Sequence, residues 1–169
     1  MGGVVQRFLL AGCASFFCCL AASRADSVRA LTVAELAQAA DVVALGSVRS
    51  LSCQRDEEGR VFTRVRLDVD ETWKGDIDHA EFTIVQAGGV LGARITKPRG
   101  QATFKPGERV LIFAALNRRG EGVILGLRQG KFTVRRDEKT GAEVAARASG
   151  SAQSVSLETL KNSVSLLSR

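Results

Sequence analysis

Four cysteines, one histidine and a close pair of aspartates are the side chains of this 169-residue chain best suited to catalysis or metal binding. Cys13, Cys18 and Cys19 crowd into one apolar run near the start. A metal cluster there would need a second ligand pair at a familiar spacing and surroundings that favour thiolates, and the run offers neither. Cys53 and His79 could act as nucleophile and base, but no third residue is placed to orient the base. His79 lies in GDIDHAE with Asp76 and Asp78. Those groups could hold a divalent ion, yet the glycine and glutamate of a calcium loop are missing, and a polar turn explains the same letters. Asp68 and Asp70 share a strand face, as acid–base carboxylates do. Arg64 and Arg66 fall on that face too, so cross-strand charge pairing is the simpler reading. GLRQGKF (Gly126 to Phe132) has the wrong glycine spacing for a phosphate loop, and Phe132 stands where a hydroxyl is required. It reads as a hairpin turn. No catalytic set, metal site or cofactor is expected, which points away from an enzyme.

The crowded cysteines belong to a segment with the three zones of an export signal. Arg7 gives the early positive charge, Phe8 to Ala22 is apolar, and Ser23-Arg24-Ala25 places small residues before a cleavage between Ala25 and Asp26. Spanning a bilayer takes about 20 apolar residues, and no later stretch approaches that, so no transmembrane span is expected in the mature chain. Leu10-Ala11-Gly12-Cys13 also has the letters of a lipobox, which would put a lipid anchor on Cys13. Only Phe8 to Gly12 would then form its apolar region, and Ala14 to Leu20 continues apolar where a polar tether belongs. Plain cleavage is the expectation, with export to the periplasm or outside the cell. Cys53 would then be the only thiol, unable to form an internal disulfide, and reads as a small half-buried residue.

Removing residues 1–25 takes two arginines and no acid from the chain, leaving 22 basic and 18 acidic residues in 144. This mild excess, with only eight Phe, one Trp and no Tyr in the whole 169 residues, lacks the charge density and stacking surface of a nucleic-acid protein. A chain of this length is one domain able to bury a core without cross-links.

The elements that would position any site are legible. Thr32 to Glu35 forms a capping box, and Leu31 and Leu36 stand at staple positions, so a helix is predicted from about Val33 to Ala39. A strand over Val42–Leu51 has Gly46 in its middle, the mark of a bulge or barrel corner. VFTRVRLDVDETW alternates strictly, with Val61, Thr63, Val65, Leu67 and Val69 on one face, so one face is buried and the other wet. A strand of that length suits a curved sheet shared by two halves of a barrel. EFTIVQ (Glu81 to Gln86) follows. Ala87 to Gln101 reads as a long loop with one short strand near 90–96. KPGE (Lys105 to Glu108) suits a type II turn. RVLIFAAL (Arg109 to Leu116) reads as a strand buried on both faces, followed by strands at Val123–Leu127, Lys131–Arg136 and 142–147. Residues 148–155 read as a linker, and 156–169 as an amphipathic helix with Leu157, Leu160, Val164 and Leu167 on one face. The prediction is a mainly β chain: a leader (1–25), then a small OB-like antiparallel β-barrel with a short N-terminal helix (26–147), then the linker and a C-terminal helix. It has six or seven antiparallel strands, and a β-sandwich is the alternative.

ADVVALGSV (Ala40 to Val48) followed by VRLDVDETWKG (Val65 to Gly75) resembles the start of the netrin-like OB-fold module, to which the tissue inhibitors of metalloproteinases belong. Those segments, with F.PGE.V and GL.QGKF.V further on, also resemble small uncharacterised exported bacterial proteins whose like occurs beside secreted metalloproteases. The second resemblance runs over most of residues 32 to 147. It implies a barrel and an exported setting. The inhibitors reach zinc through an N-terminal, disulfide-bonded cysteine, and the expected N-terminus here is Asp26.

The functional expectation is an exported, non-catalytic binding module for a protein or an anionic component of the cell envelope. The alternative is a secreted hydrolase, or a protease-associated accessory or inhibitor domain. Long loops on rigid barrels often carry function. The expected contact surface is therefore the Ala87 to Gln101 loop with Arg94, Lys97 and Arg99.

Overall fold

The computed structural model describes residues 29–77, 80–147 and 154–167. The leader with Cys13, Cys18, Cys19, Ala25 and Asp26, the Asp78–His79 pair, and residues 148–153 of the linker lie outside the described residues. Helix α1 covers Val33–Ala39 and begins with the capping box: Thr32 Oγ1 accepts the Glu35 N–H while the Glu35 carboxylate accepts the Thr32 N–H. These bonds hold the Glu35 carboxyl below the usual range, the Thr32 amide contributing most. Strands β1 (Val42–Arg55) and β2 (Val61–Lys74) form the longest hairpin, and β3 (Glu81–Ala87) continues the meander.

Beyond it lie β4 (Gly89–Leu91), β5 (Arg94–Thr96), β6 (Arg109–Leu116), β7 (Gly122–Ile124), β8 (Lys131–Arg136), β9 (Glu143–Arg147), β10 (Val155–Ser156) and helix α2 (Leu157–Leu167). The order β1-β2-β3-β7-β6, with β6 pairing back onto β1, closes a five-stranded barrel, and β8, β9 and β10 extend the sheet from β6. The barrel expectation is met and the sandwich is not. The strands are not all antiparallel, however, because β3 meets β7 in parallel at Ile84↔Gly122.

Two apolar clusters explain why β6 reads as a buried run, and they bury the first part of β1 as well. Val42, Ala44, Val110, Ile112 and Ala114 point into the barrel with Val65, Leu67, Phe82 and Ile84. Their neighbours Val43, Leu45, Leu111 and Phe113 point outward and are covered by Leu36, Phe132, Val134, Leu160 and Val164. Strand β6 is thus buried on both faces in an antiparallel setting, under a second layer of helices and β8–β9. Burying each of the Val, Leu, Ile and Phe side chains among them contributes roughly 1.5–3 kcal/mol. Residues Thr63, Val65 and Leu67 are buried, while Arg66, Asp68 and Asp70 are exposed, as the alternation requires. Val61 and Val69, on the same face, are half-buried.

Gly46 marks a register shift in β1, and a Cβ there would strike the Asp68 carbonyl. The KPGE turn closes with Glu108 N–H donating to Lys105 O at 3.0 Å and Gly107 at φ 78°, the type II geometry. The strand expected over Val123–Leu127 stops at Ile124. Leu125 N–H donates to Phe113 O and Gly130 N–H to Leu125 O, so residues 125–130 turn immediately back onto β6, with Gly126 at φ 58° and Leu127 at φ 65°. The linker expected to reach Val155 ends earlier, because Val155 and Ser156 pair with β9. In α2, Leu157, Leu160 and Val164 are buried, but Leu167 is exposed beyond the supporting layer. The expected single strand near 90–96 is a hairpin, β4–β5, forming its own two-stranded sheet.

Candidate functional site

A groove of about 900 Å³ opens between the β1–β2 and β6–β7 turns, with β2 and β3 beneath it. Each wall is built by one short polar side chain that folds the backbone around itself. Asp56 Oδ1 accepts the N–H groups of Glu58 (3.1 Å) and Arg60 (2.7 Å), and its Oδ2 accepts from Arg60 Nε at 2.7 Å. The Arg60 side chain contributes most to holding the Asp56 carboxyl below its ordinary range; burial opposes it, and the Arg60 and Glu58 amides add to the lowering. Arg60 also pairs with Glu58. In the opposite wall Asn117 Oδ1 accepts the N–H groups of Arg119 (2.8 Å) and Glu121 (3.0 Å), and Asn117 Nδ2 donates to Glu121 Oε2 at 3.0 Å. Both turns place glycine three residues after the Asp or Asn, at Gly59 (φ 80°) and Gly120 (φ 73°), where the backbone goes left-handed.

The walls differ in charge. In the first, Asp56, Glu57 and Glu58 stand with Arg55 and Arg60, a slight acidic excess, and Arg60 is already paired to two of the acids. Arg118 and Arg119 in the second are exposed and have no carboxylate partner among the described residues. Between the walls the surface is apolar at Val61, Phe62, Val85 and Val123. Arg64 crosses this surface and binds Glu121 at 2.6 Å, tying the floor to the basic wall. In the residues lining the groove, two buried side-chain atoms, the donor Arg64 Nε and the acceptor Gln86 Oε1, have no hydrogen-bond partner among the described residues, although buried polar atoms are ordinarily paired. The similar atom Arg109 Nε differs, since it lies 3.1 Å from Glu143 Oε1.

The residues singled out in the sequence distribute as follows. Asp68 and Asp70 enter ion pairs with Arg49 (3.5 Å) and Arg109 (2.5 Å), the cross-strand charge pairing expected of a wet face. Cys53 is half-buried, opposite Thr63. No three His, Cys, Asp or Glu side chains converge as a metal site among the described residues. Arg94 lies in β5, and Lys97 and Arg99 follow it, exposed and without a carboxylate partner among the described residues. Neither Lys97 nor Arg99 lines the groove, whereas Ala87 and Gln101, the ends of their segment, both do. From the letters alone, RDEEG (Arg55 to Gly59) reads as a charged turn and NRRGEG (Asn117 to Gly122) as the turn before the Val123 strand, and neither marks a site. The recurring Asp/Asn-x-x-Gly in both is the signal that two rigid walls would form.

No helix among the described residues is long and apolar enough to cross a membrane. Compared with known proteins, the chain matches no family model and no curated sequence.

Proposed function

We propose that this chain is an exported, non-catalytic binding module that holds an extended polypeptide segment in the groove between the β1–β2 and β6–β7 turns. The observation that carries the reading is an apolar floor of Val61, Phe62, Val85 and Val123 lying between two charged turns, one of them carrying the exposed Arg118 and Arg119. Apolar side chains of the segment would rest on Val61, Val85 and Val123, with basic ones facing Asp56, Glu57 and Glu58 and acidic ones facing Arg118 and Arg119. Five-stranded barrels of the OB kind use this region, flanked by the equivalent two loops, for extended ligands. A polypeptide suits it better than an oligonucleotide, because Phe62 is the only aromatic among the described lining residues and leaves little surface for stacking bases. Export to the periplasm or beyond rests on the three-zone leader ending at Ala25.

Selection of random linear peptides on the immobilised protein tests the reading. Val123→Asp changes a residue 45% exposed on the groove surface, and Arg118→Glu with Arg119→Glu reverses the basic wall. Both variants are expected to melt like the parent and to lose the selected peptides. Capture of the same peptides with undiminished affinity by both would refute the groove. Intact mass of the protein from its native envelope tests export separately: Asp26 at the N-terminus is expected, and a diacylglycerol on Cys13 would replace cleavage by anchoring.

A further inference from the structure

We infer that the β4–β5 hairpin is a second contact surface, which seats the protein on an anionic lipid bilayer through Val90 and Ile95, with charge supplied by Lys97 and Arg99, the exposed cations that follow β5 in the chain. Val90 and Ile95 are directly opposed across the hairpin, so their side chains share one face. The other face is fixed against the barrel. A Cβ on Gly89 would collide with Cys53 Sγ and Thr63 Oγ1, so that position points inward and Val90, the next residue, points away. Val90 is 62% exposed and Ile95 69%, exceeded among the exposed large hydrophobic residues only by Leu166.

The exposure is built in. Thr63 Oγ1 donates to Gly88 O at 2.7 Å, and Gly88 N–H donates to Val61 O at 2.8 Å, which clamps the base of the hairpin to β2. Gly88, at φ 81°, leaves no room for a side chain beside Thr96 and Pro98. The chain therefore cannot easily fold this apolar pair back onto the barrel.

Charge selects the partner. Residues 87–107 contain four basic side chains, Arg94, Lys97, Arg99 and Lys105, and no Asp or Glu, in a chain with 18 acids. Lys97 and Arg99 are exposed and without a carboxylate among the described residues. A soluble polyanion would match the cations and leave Val90 and Ile95 in water. The interface of an anionic bilayer meets both needs, taking apolar side chains at the headgroup boundary while its surface potential attracts the cations. This surface is separate from the groove, although Ala87 and Gln101 at its root bring the two close.

Co-sedimentation with vesicles tests the inference, using the protein as its cells produce it, with the same N-terminus verified by mass for every variant. The parent is expected to bind vesicles of equal parts phosphatidylglycerol and phosphatidylcholine, and not vesicles of phosphatidylcholine alone. Val90→Ser with Ile95→Ser, and separately Lys97→Glu with Arg99→Glu, should each weaken that binding roughly tenfold or more without altering the melting curve. Parent protein that ignores phosphatidylglycerol overturns the inference. So does undiminished binding by either double variant. If only the charge reversal matters, and dextran sulfate competes fully with vesicles, the hairpin is a polyanion patch and the lipid assignment is wrong.

Discussion

Lys131 and Lys97 carry the same side chain under opposite conditions. Lys131 is 3% exposed. Its Nζ donates to Glu108 Oε1 at 2.7 Å and to Thr103 O at 2.5 Å, and it lies 4.8 Å from the centre of the Phe104 ring. Lys97 stands in solvent with no carboxylate near it among the described residues. Both belong to the chemistry of one connection, the segment between β3 and β6. Its far end supplies Glu108, Thr103 and Phe104, which enclose Lys131 and bind the segment to β8. Its near end forms the β4–β5 hairpin, which has no acid to offer. A positive charge enclosed by partners stabilises the fold, whereas one left unpartnered on a clamped hairpin remains available to another surface.

The difference can be broken most forcefully at Lys131. Removing one member of a buried ion pair costs about 3–5 kcal/mol, because the other charge stays buried. Lys131→Met should lower stability by that order in urea unfolding, while Lys97→Met should stay within about 0.5 kcal/mol of the parent. Equal effects would mean that the buried pair does not hold the connection.

Acid sharpens the same contrast. Burial pushes the Glu108 carboxyl upward, but hydrogen bonds from Lys131 and Thr133, with the Lys131 charge, outweigh it and hold the carboxyl below its ordinary value. Between the folded value and the unfolded one near 4.3, the unfolded chain carries the extra proton, so stability rises with pH across that window. The contribution is complete above about pH 4.3 and disappears as pH falls through the folded value. Glu108→Gln should therefore show a shallower loss of stability on acidification, measured by urea midpoints across that range. An unchanged slope would place the acid sensitivity elsewhere.

The smallest effect separates paired surface arginines from unpaired ones. Arg109 reaches both Asp70 and Glu143 and is only 35% exposed in its side chain, so Arg109→Ala should cost up to about 1 kcal/mol. Arg99→Ala should cost nothing measurable in the same thermal melt. A larger cost at Arg99 would show that its charge already has a structural use.

The quoted motifs of the sequence fall mainly on the scaffold, which is why they spoke to fold more than to function. Gly46 lets β2 approach closely, and Gly107 makes the turn that precedes β6. Gln129 accepts from Leu31 N–H at 2.6 Å and donates to Arg29 O at 3.0 Å, strapping the segment before α1 to the turn after β7. Arg147 adds a bond to Leu31 O at 2.7 Å. These long-range uses of a glutamine and an arginine have no local signature. Neither does the burial of Lys131, a residue type that is rarely enclosed without a partner.

What the sequence alone determined was set by local rules. The capping box started α1, period-two alternation defined β2 and its wet face, and the Pro-Gly pair placed the turn before β6. Each depends on residues within a few positions of one another, so the letters suffice. Tertiary structure decided the rest. The parallel contact of β3 with β7 joins segments far apart in the chain and turns the sheet into a barrel. That closure brings the RDEEG and NRRGEG turns to opposite sides of one groove. It also leaves the acid-free stretch of the β3–β6 connection clamped over Cys53 and Thr63 with Val90 and Ile95 facing out. Register and closure depend on packing summed over the whole core, and no single segment of the sequence contains that sum.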